Sequence, residues 1–270
     1  MFVFSEWEKI CKEIAVNHNC ITANQILEQI NKPDWIVVKH DVETDVSKAL
    51  SLAKIENKYG IRATYYVQSY LLQDNFKKLQ EIQELGHEVT YHYDVLDSNN
   101  GDFELATREF EETINNFKEY GFNVKTVCPH GNPIMNRNGW DSNKDFFRRK
   151  DITDKFCDIL DIVVHLPSKI NYKYTYISDA GYSWKIIVNI ADNDKFNKGD
   201  KEIKNIYSLL EKKNNSLIIS THPHRWRANY FFVLLNKIKF KFLRLIARTL
   251  NKIPFFKKLM SRFYYLAKKI

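Results

Sequence analysis

Residues 35–68, WIVVKHDVETDVSKALSLAKIENKYGIRATYYVQ, constrain this chain more than any other stretch. The apolar run at 35–38 has the character of a strand buried on both faces of a parallel sheet. His40-Asp41-Val42-Glu43 follows at its carboxyl end, and Thr44 or Asp45 can cap the next helix. Val46, Ala49, Leu50 and Ala53 mark one face of that helix, and Gly60 ends it, as glycine commonly does just past a helix. Residues 62–68, rich in β-branched and aromatic side chains, read as a second strand. In α/β folds chemistry gathers at strand carboxyl ends. One imidazole and two carboxylates at that point are therefore a candidate metal or acid–base site. The bland alternative is a helix-capping aspartate beside a structural histidine.

The same alternation continues along the chain. Residues 5–8 and 22–25 have the form of capping boxes opening two helices, and Pro33 breaks the second. Residues 75–85 read as a helix stopped by Gly86, 88–91 as a strand, 103–120 as a helix stopped by Gly121, and 124–127 as a strand followed by the turn Cys128-Pro-His-Gly-Asn-Pro133. Residues 136–151 are polar and irregular, a functional or mobile loop. Further strands are expected at 159–164, 174–177, 185–189 and 217–220, with a helix at 200–212 and no internal repeat. At least four strand–helix alternations argue for a parallel α/β sheet, open or closed.

Four of the eight histidines, His40, His92, His130 and His222, follow such strands at once. In a parallel sheet those ends share one face. Three convergent imidazoles with Asp41 and Glu43 suit a mononuclear divalent metal. Zinc is the expected ion, since it accepts imidazole nitrogen and carboxylate oxygen and can keep one position open.

Length allows one barrel-sized α/β domain or two small ones. Cys11, Cys20, Cys128 and Cys157 show no metal-type spacing and read as reduced thiols of a cytosolic protein. Glu6 and Glu8 interrupt the amino terminus, which is not a secretory signal, and no run is long enough to span a membrane. The net charge is +8, but residues 227–270 alone hold twelve Lys and Arg and no acid, so the first 226 residues carry −4. Basic character thus belongs to the tail, and nucleic-acid binding by the whole chain is not expected. Residues 1–226 are read as the α/β domain and 227–270 as a basic amphipathic helical tail, divided by Pro254, with apolar residues among lysines and arginines. Such a face suits an anionic membrane surface. The alternative packs these helices on the domain.

At these residues the chain resembles the polysaccharide deacetylase family of carbohydrate esterases, and a divergent branch of it linked to surface-polysaccharide biosynthesis. His40-Asp41-Val42-Glu43 looks like the first motif, with matching spacing to residues 63–67. Gly86-His-Glu-Val-Thr-Tyr-His92 looks like the second, residues 128–131 fall at the third, residues 178–184 resemble a branch-specific segment, and residues 217–222 with Trp226 resemble the last. The resemblance spans about residues 3–226. It implies a distorted (β/α) barrel, a divalent metal, and an acetylated sugar or lipid-linked glycan as substrate; with the basic tail, the expected place is the inner face of the cell membrane. It implies His92 and Glu43 as metal ligands, Asp41 as base and His222 as the acid that protonates the leaving amine. Three departures matter. Leu96 stands where the second metal histidine is expected, Glu43 replaces a shorter Asp, and Val127 or Cys128 stands where an arginine is expected. His130 is the leading third ligand, with Asp94 or Asp41 as alternatives. A catalytically inactive barrel that binds a glycan or a protein partner is the rival reading.

Asp179, Trp184 and Trp226 are expected to line a sugar subsite, with a core role for Trp184 equally open. His87, His18 and His165 are expected to be structural, Tyr91 and Tyr93 to pack, and His224 to point away from the site.

Overall fold

Period-two alternation along residues 36–42 divides the molecule into an inner and an outer layer. The computed structural model describes residues 2–132, 135, 137–192, 199–212 and 215–250. Its helices are α1 (Phe4–Asn17), α2 (Ala23–Ile26), α3 (Val46–Lys58), α4 (Phe76–Glu84), α5 (Val95–Ser98), α6 (Phe103–Glu119), α7 (Asp145–Arg148), α8 (Lys150–Lys155), α9 (Leu166–Lys169), α10 (Tyr207–Leu210) and α11 (Tyr230–Leu250). Its strands are β1 (Ile36–Val42), β2 (Thr64–Val67), β3 (Glu88–Tyr93), β4 (Thr126–Pro129), β5 (Leu160–Asp161), β6 (Tyr174–Ser178), β7 (Trp184–Ile187), β8 (Lys201–Ile203) and β9 (Ser216–Thr221).

The strands form one sheet in the order β5-β4-β3-β2-β1-β9-β6-β7-β8. Pairing is parallel from β5 to β6, and β7 and β8 add antiparallel strands at one edge. β1 is central and buried throughout; its first three residues are apolar, and the buried Lys39, His40 and Asp41 that follow are each paired with a polar partner. Ile36, Val38 and Val42 face the outer core beneath α1, α3, α4 and α6, together with Leu52, Leu79 and Phe110. Val37 faces an inner core with Tyr66, Cys128, Ile162, Tyr176 and Ile218.

That inner core shows the sheet to be curled. Lys39 on β1 reaches Cys128 on β4 at 2.9 Å and lies 5.2 Å and 5.9 Å from the ring centres of Tyr66 on β2 and Tyr176 on β6. A flat sheet would hold β1 and β4 three strand spacings of about 4.8 Å apart. The α/β class and the distorted barrel are thus what the chain adopts.

Several local expectations are met by backbone geometry. Gly60 and Gly86 follow α3 and α4 with φ of +69° and +91°, a region closed to most L residues. Thr22 and Gln25 form the reciprocal cap of α2. Other expectations are corrected. α1 starts without a side-chain cap, because it begins at Phe4, ahead of Ser5, with Val3 at the cap position and no acceptor on that side chain; Phe4 N–H is taken by the Arg227 carbonyl at 2.9 Å. The strand at 159–164 shrinks to two residues, since Asp161 Oδ1 accepts the Val163 and Val164 N–H groups and turns the chain. The helix at 200–212 is instead β8, a turn and α10. Asp200 Oδ1 accepts from Val188 N–H at 3.1 Å and ties this segment to the strand at its side.

α11 begins at Tyr230. Val233 is buried and Phe240 meets Tyr182 at 5.6 Å, whereas Tyr230, Phe231, Phe232, Leu235, Ile238, Phe242 and Leu245 are exposed. The expected division at Pro254 and the second tail helix lie outside the described residues.

Candidate functional site

Strand parity decides which side chains meet. Lys39 and Asp41 on β1, His92 on β3, Cys128 on β4 and Ser220 on β9 share the inner face, and Glu43, His130 and His222 lie just past their strands. His40 has the opposite parity. Its Nε2 lies 2.7 Å from Glu56 and its Nδ1 2.6 Å from Thr221 Oγ1, both in the outer layer. Of the four strand-following histidines, three reach the site and His40 does not.

Glu43 is the centre of the arrangement. Its Oε1 lies 3.9 Å from His92 Nε2, 3.4 Å from His130 Nε2 and 3.7 Å from His222 Nε2. Its Oε2 lies 3.8 Å from His224 Nδ1. These spacings exceed the usual hydrogen-bond range of about 2.7–3.2 Å. Two ligand atoms on one tetrahedral zinc, each about 2.1 Å from it, stand roughly 3.4 Å apart. Glu43, His92 and His130 thus have the spacing of a shell around an ion, and their ligand atoms all lie within 4.8 Å of one another. Burial would push the Glu43 carboxyl up, but His222, His130 and His92 outweigh it and hold it well below the usual range.

The imidazoles are presented correctly for this. His92 Nδ1 stands 3.0 Å from the Cys128 carbonyl, to which it donates, so the Nε2 lone pair faces Glu43. His130 is fixed through its backbone. Its N–H donates to the Tyr93 carbonyl at 2.7 Å, and its carbonyl accepts from Asn143 Nδ2 at 2.9 Å. Asn143 also donates to Asp97 Oδ2, and Asp97 is gripped by Arg137 at 2.7 Å and by Trp140 Nε1 at 2.9 Å. The polar loop expected at 136–151 is in this part a fastening for His130. Leu96, where the resemblance expects a ligand, is in the outer core, and the group with ligand-like spacing is Glu43, His92 and His130.

Asp41 is organised differently. Its Oδ1 takes the Lys39 ammonium at 2.6 Å, and its Oδ2 accepts from Ser220 Oγ at 3.2 Å and lies 3.9 Å from His222 Nε2. Burial would push this carboxyl up. Lys39, then His92 and His222, reverse that and keep it ionised. Burial would likewise strip Lys39 of its proton, but Asp41 outweighs it and holds the ammonium well above its ordinary value. A second group, Asp41, His92 and Cys128, also has metal-like spacing. It does not fit an ion. Lys39 donates to both Asp41 and Cys128, and burial pushes the Cys128 thiol up, away from the thiolate a metal needs. Lys39 could have been found from the sequence as a lysine directly after the apolar run of a buried strand and two residues before Asp41.

His222 is held by a buried partner. Its Nδ1 donates to Asp179 Oδ1 at 2.6 Å, leaving Nε2 toward Asp41 and Glu43. Asp179 also accepts from Arg225 Nη1 at 2.7 Å, from the His222 N–H at 3.0 Å and from Trp226 Nε1 at 3.3 Å. Burial would raise its carboxyl, but Arg225 and His222 hold it low.

These contacts correct the sugar-subsite expectation. Asp179 is fully enclosed beneath His222, Trp226 is fully buried against Trp7 at 5.0 Å, and Trp184 packs on Phe2 at 5.6 Å. None offers a face to a sugar ring. His224 is corrected too. It turns toward Glu43, and burial pushes its imidazole down to about 3. His87, by contrast, is structural as expected: Nδ1 accepts from Ala63 N–H and Nε2 donates to the Ala53 carbonyl.

No family model and no curated protein matches the chain. Among solved structures it is similar to a family 4 carbohydrate esterase from Streptomyces lividans, at 14% identity over 82% of this chain and 90% of that one, TM-score 0.42. It is also similar to the catalytic domain of a peptidoglycan N-acetylglucosamine deacetylase from Eubacterium rectale, at 16% identity over 76% and 83%, TM-score 0.41. A third is a family 4 pseudoenzyme from Bacillus anthracis, at 13% identity over 76% and 59%, TM-score 0.35.

Proposed function

We propose that this chain is a metal-dependent hydrolase that removes acetyl groups, foremost N-acetyl groups, from a sugar or lipid-linked glycan during assembly of a bacterial surface polysaccharide such as O-antigen or capsule. The observation that carries the reading is the ring of His92, His130 and His222 around Glu43 at 3.4–3.9 Å. A divalent ion, zinc by its donor set, held by Glu43, His92 and His130 would polarise the acetyl carbonyl and make water a better nucleophile.

The remaining groups supply proton chemistry. Asp41 takes the proton of the attacking water at Oδ2, because Lys39 occupies Oδ1. His222 delivers a proton from Nε2 to the leaving nitrogen, while Asp179 steadies the ring through Nδ1. Water adds to the carbonyl carbon, the C–N bond breaks, and acetate and a free amine remain. The amine of an amide leaves only when protonated, which is why an acid must stand opposite the base. The test is acetate release from N- and O-acetylated sugars by zinc-loaded protein. Activity on N-acetyl sugars that disappears with zinc removal supports the reading, and zinc-loaded protein inert toward every acetylated sugar supports the inactive, glycan-binding alternative.

The tail completes the reading. Exposed Phe231, Phe232, Leu235, Phe242 and Leu245 share α11 with Lys237, Lys239 and Lys241, and α11 carries no acidic residue. Apolar insertion beside lysines suits an anionic leaflet, worth about 1 kcal/mol per basic residue near the surface. No helix among the described residues is long and apolar enough to cross a membrane. The exposed apolar and basic residues of α11 support reading the protein as cytoplasmic and peripheral, at the inner face of the cell membrane.

A further inference from the structure

His224 takes no part in the chemistry above, yet it is turned into the site. Its Nδ1 is buried and has no hydrogen-bond partner among the described residues. Glu43 Oε2, the oxygen opposite the one that faces His92 and His130, lies 3.8 Å from it. The segment that carries His224 is well held. Pro223–Arg225 forms a 3-10 turn, Arg225 donates to Asp179, and the His224 carbonyl accepts from Arg227 Nη1 at 2.6 Å. The ring stands edge-on to His222 with centres 5.8 Å apart. A buried polar nitrogen aimed at a carboxylate and left unpaired is costly, and a small rotation of either side chain would close the gap.

We infer that His224 is a positioning residue for the metal centre, donating Nδ1–H to Glu43 Oε2 so that Oε1 is the oxygen offered to the ion. This rests on the metal-centre reading above. His224 is not itself a ligand in this assignment, because the group whose ligand atoms lie within 4.8 Å of one another is Glu43, His92 and His130. The reason such a donor is needed is geometric. Glutamate has one more rotatable bond than aspartate, so its carboxylate swings unless its second oxygen is held. Ligating carboxylates are ordinarily hydrogen-bonded from outside the shell, and loss of such a partner typically costs about 10–100-fold in metal affinity.

The test uses the full-length chain and zinc alone, measured by chelator competition, with cobalt substitution to report coordination. His224→Ala should weaken zinc binding about 10–100-fold. His224→Asn, which keeps an N–H donor near the position of Nδ1, should recover most of that loss. The cobalt spectrum and the number of bound imidazoles should match wild type in both. Unchanged zinc affinity in His224→Ala, no rescue in His224→Asn, or loss of one bound imidazole in His224→Ala would each overturn the inference. Failure of the underlying reading looks different: wild type would bind no zinc, or His92→Ala would keep it all.

Discussion

Two buried or half-buried glutamates, Glu56 on α3 and Glu43 just past β1, are each set among histidines, and they differ in one respect. Glu56, in the outer layer, is saturated. Oε1 accepts from Trp7 Nε1 at 2.9 Å and pairs with His40 Nε2 at 2.7 Å, and Oε2 accepts from the Tyr65 hydroxyl at 2.6 Å. Glu43, at the inner end of β1, faces four imidazoles at 3.4–3.9 Å. The first cluster has closed on itself and does structural work. The second keeps a gap of ligand-shell size. A list of buried carboxylates and histidines would not separate the two, whereas a difference of about 1 Å in spacing does.

The comparison breaks most sharply at the Glu43 cluster. His92→Ala and Glu43→Ala should abolish zinc binding and hydrolysis together, as read by metal content and acetate release. His222→Ala should keep its zinc, fold normally and lose about 10²–10⁴ in turnover. Wild-type turnover in that variant would sink the acid role. Glu56→Ala should do the reverse. Removing Glu56 leaves buried Trp7, His40 and Tyr65 groups without their partner, at about 1–3 kcal/mol for each unsatisfied group, so denaturant unfolding should show a large loss while folded molecules keep full zinc content.

Acid should reveal the Glu56 cluster next. Burial would raise the Glu56 carboxyl, but His40 and His87 outweigh it and its folded-state value is lowered. An unfolded glutamate titrates near about 4.3. A lowered folded value contributes stability that is fully present above that point and is lost as pH falls through the folded value. Glu56→Gln should therefore flatten the acid limb of a stability–pH curve below about pH 4. A parallel downward shift at every pH would contradict this.

Lys39→Met tests how the base is kept charged. With its cation gone, burial should push the Asp41 carboxyl up. The acid limb of the pH–rate profile should move to higher pH while Glu43, His92 and His130 still hold zinc. The smallest expected effect lies at the tail. Anionic vesicles should retain the protein at low salt and release it as salt rises, because exposed charges are screened within about 10 Å at 0.1 M. Salt that strips the protein from vesicles should leave zinc content unchanged, and salt-insensitive or absent vesicle binding would refute the surface role.

By itself, the sequence determined the alternating α/β plan and the central strand, because an apolar run followed by Asp41 and Glu43 has few other homes. It also determined that His92, His130 and His222 would share one end of the sheet, since parallel strands put their carboxyl ends together. Tertiary structure alone decided the rest. His40 lies in the outer layer because parity along β1 turns it from Asp41, its immediate neighbour, toward Glu56. Asp179 holds His222 instead of a sugar because β6 and β9 pair in a register that buries it. Lys39 is enclosed because the curl of the sheet, a property of all its strands together, brings Cys128 on β4 and Tyr176 on β6 around the ammonium that parity along β1 sets beside Asp41.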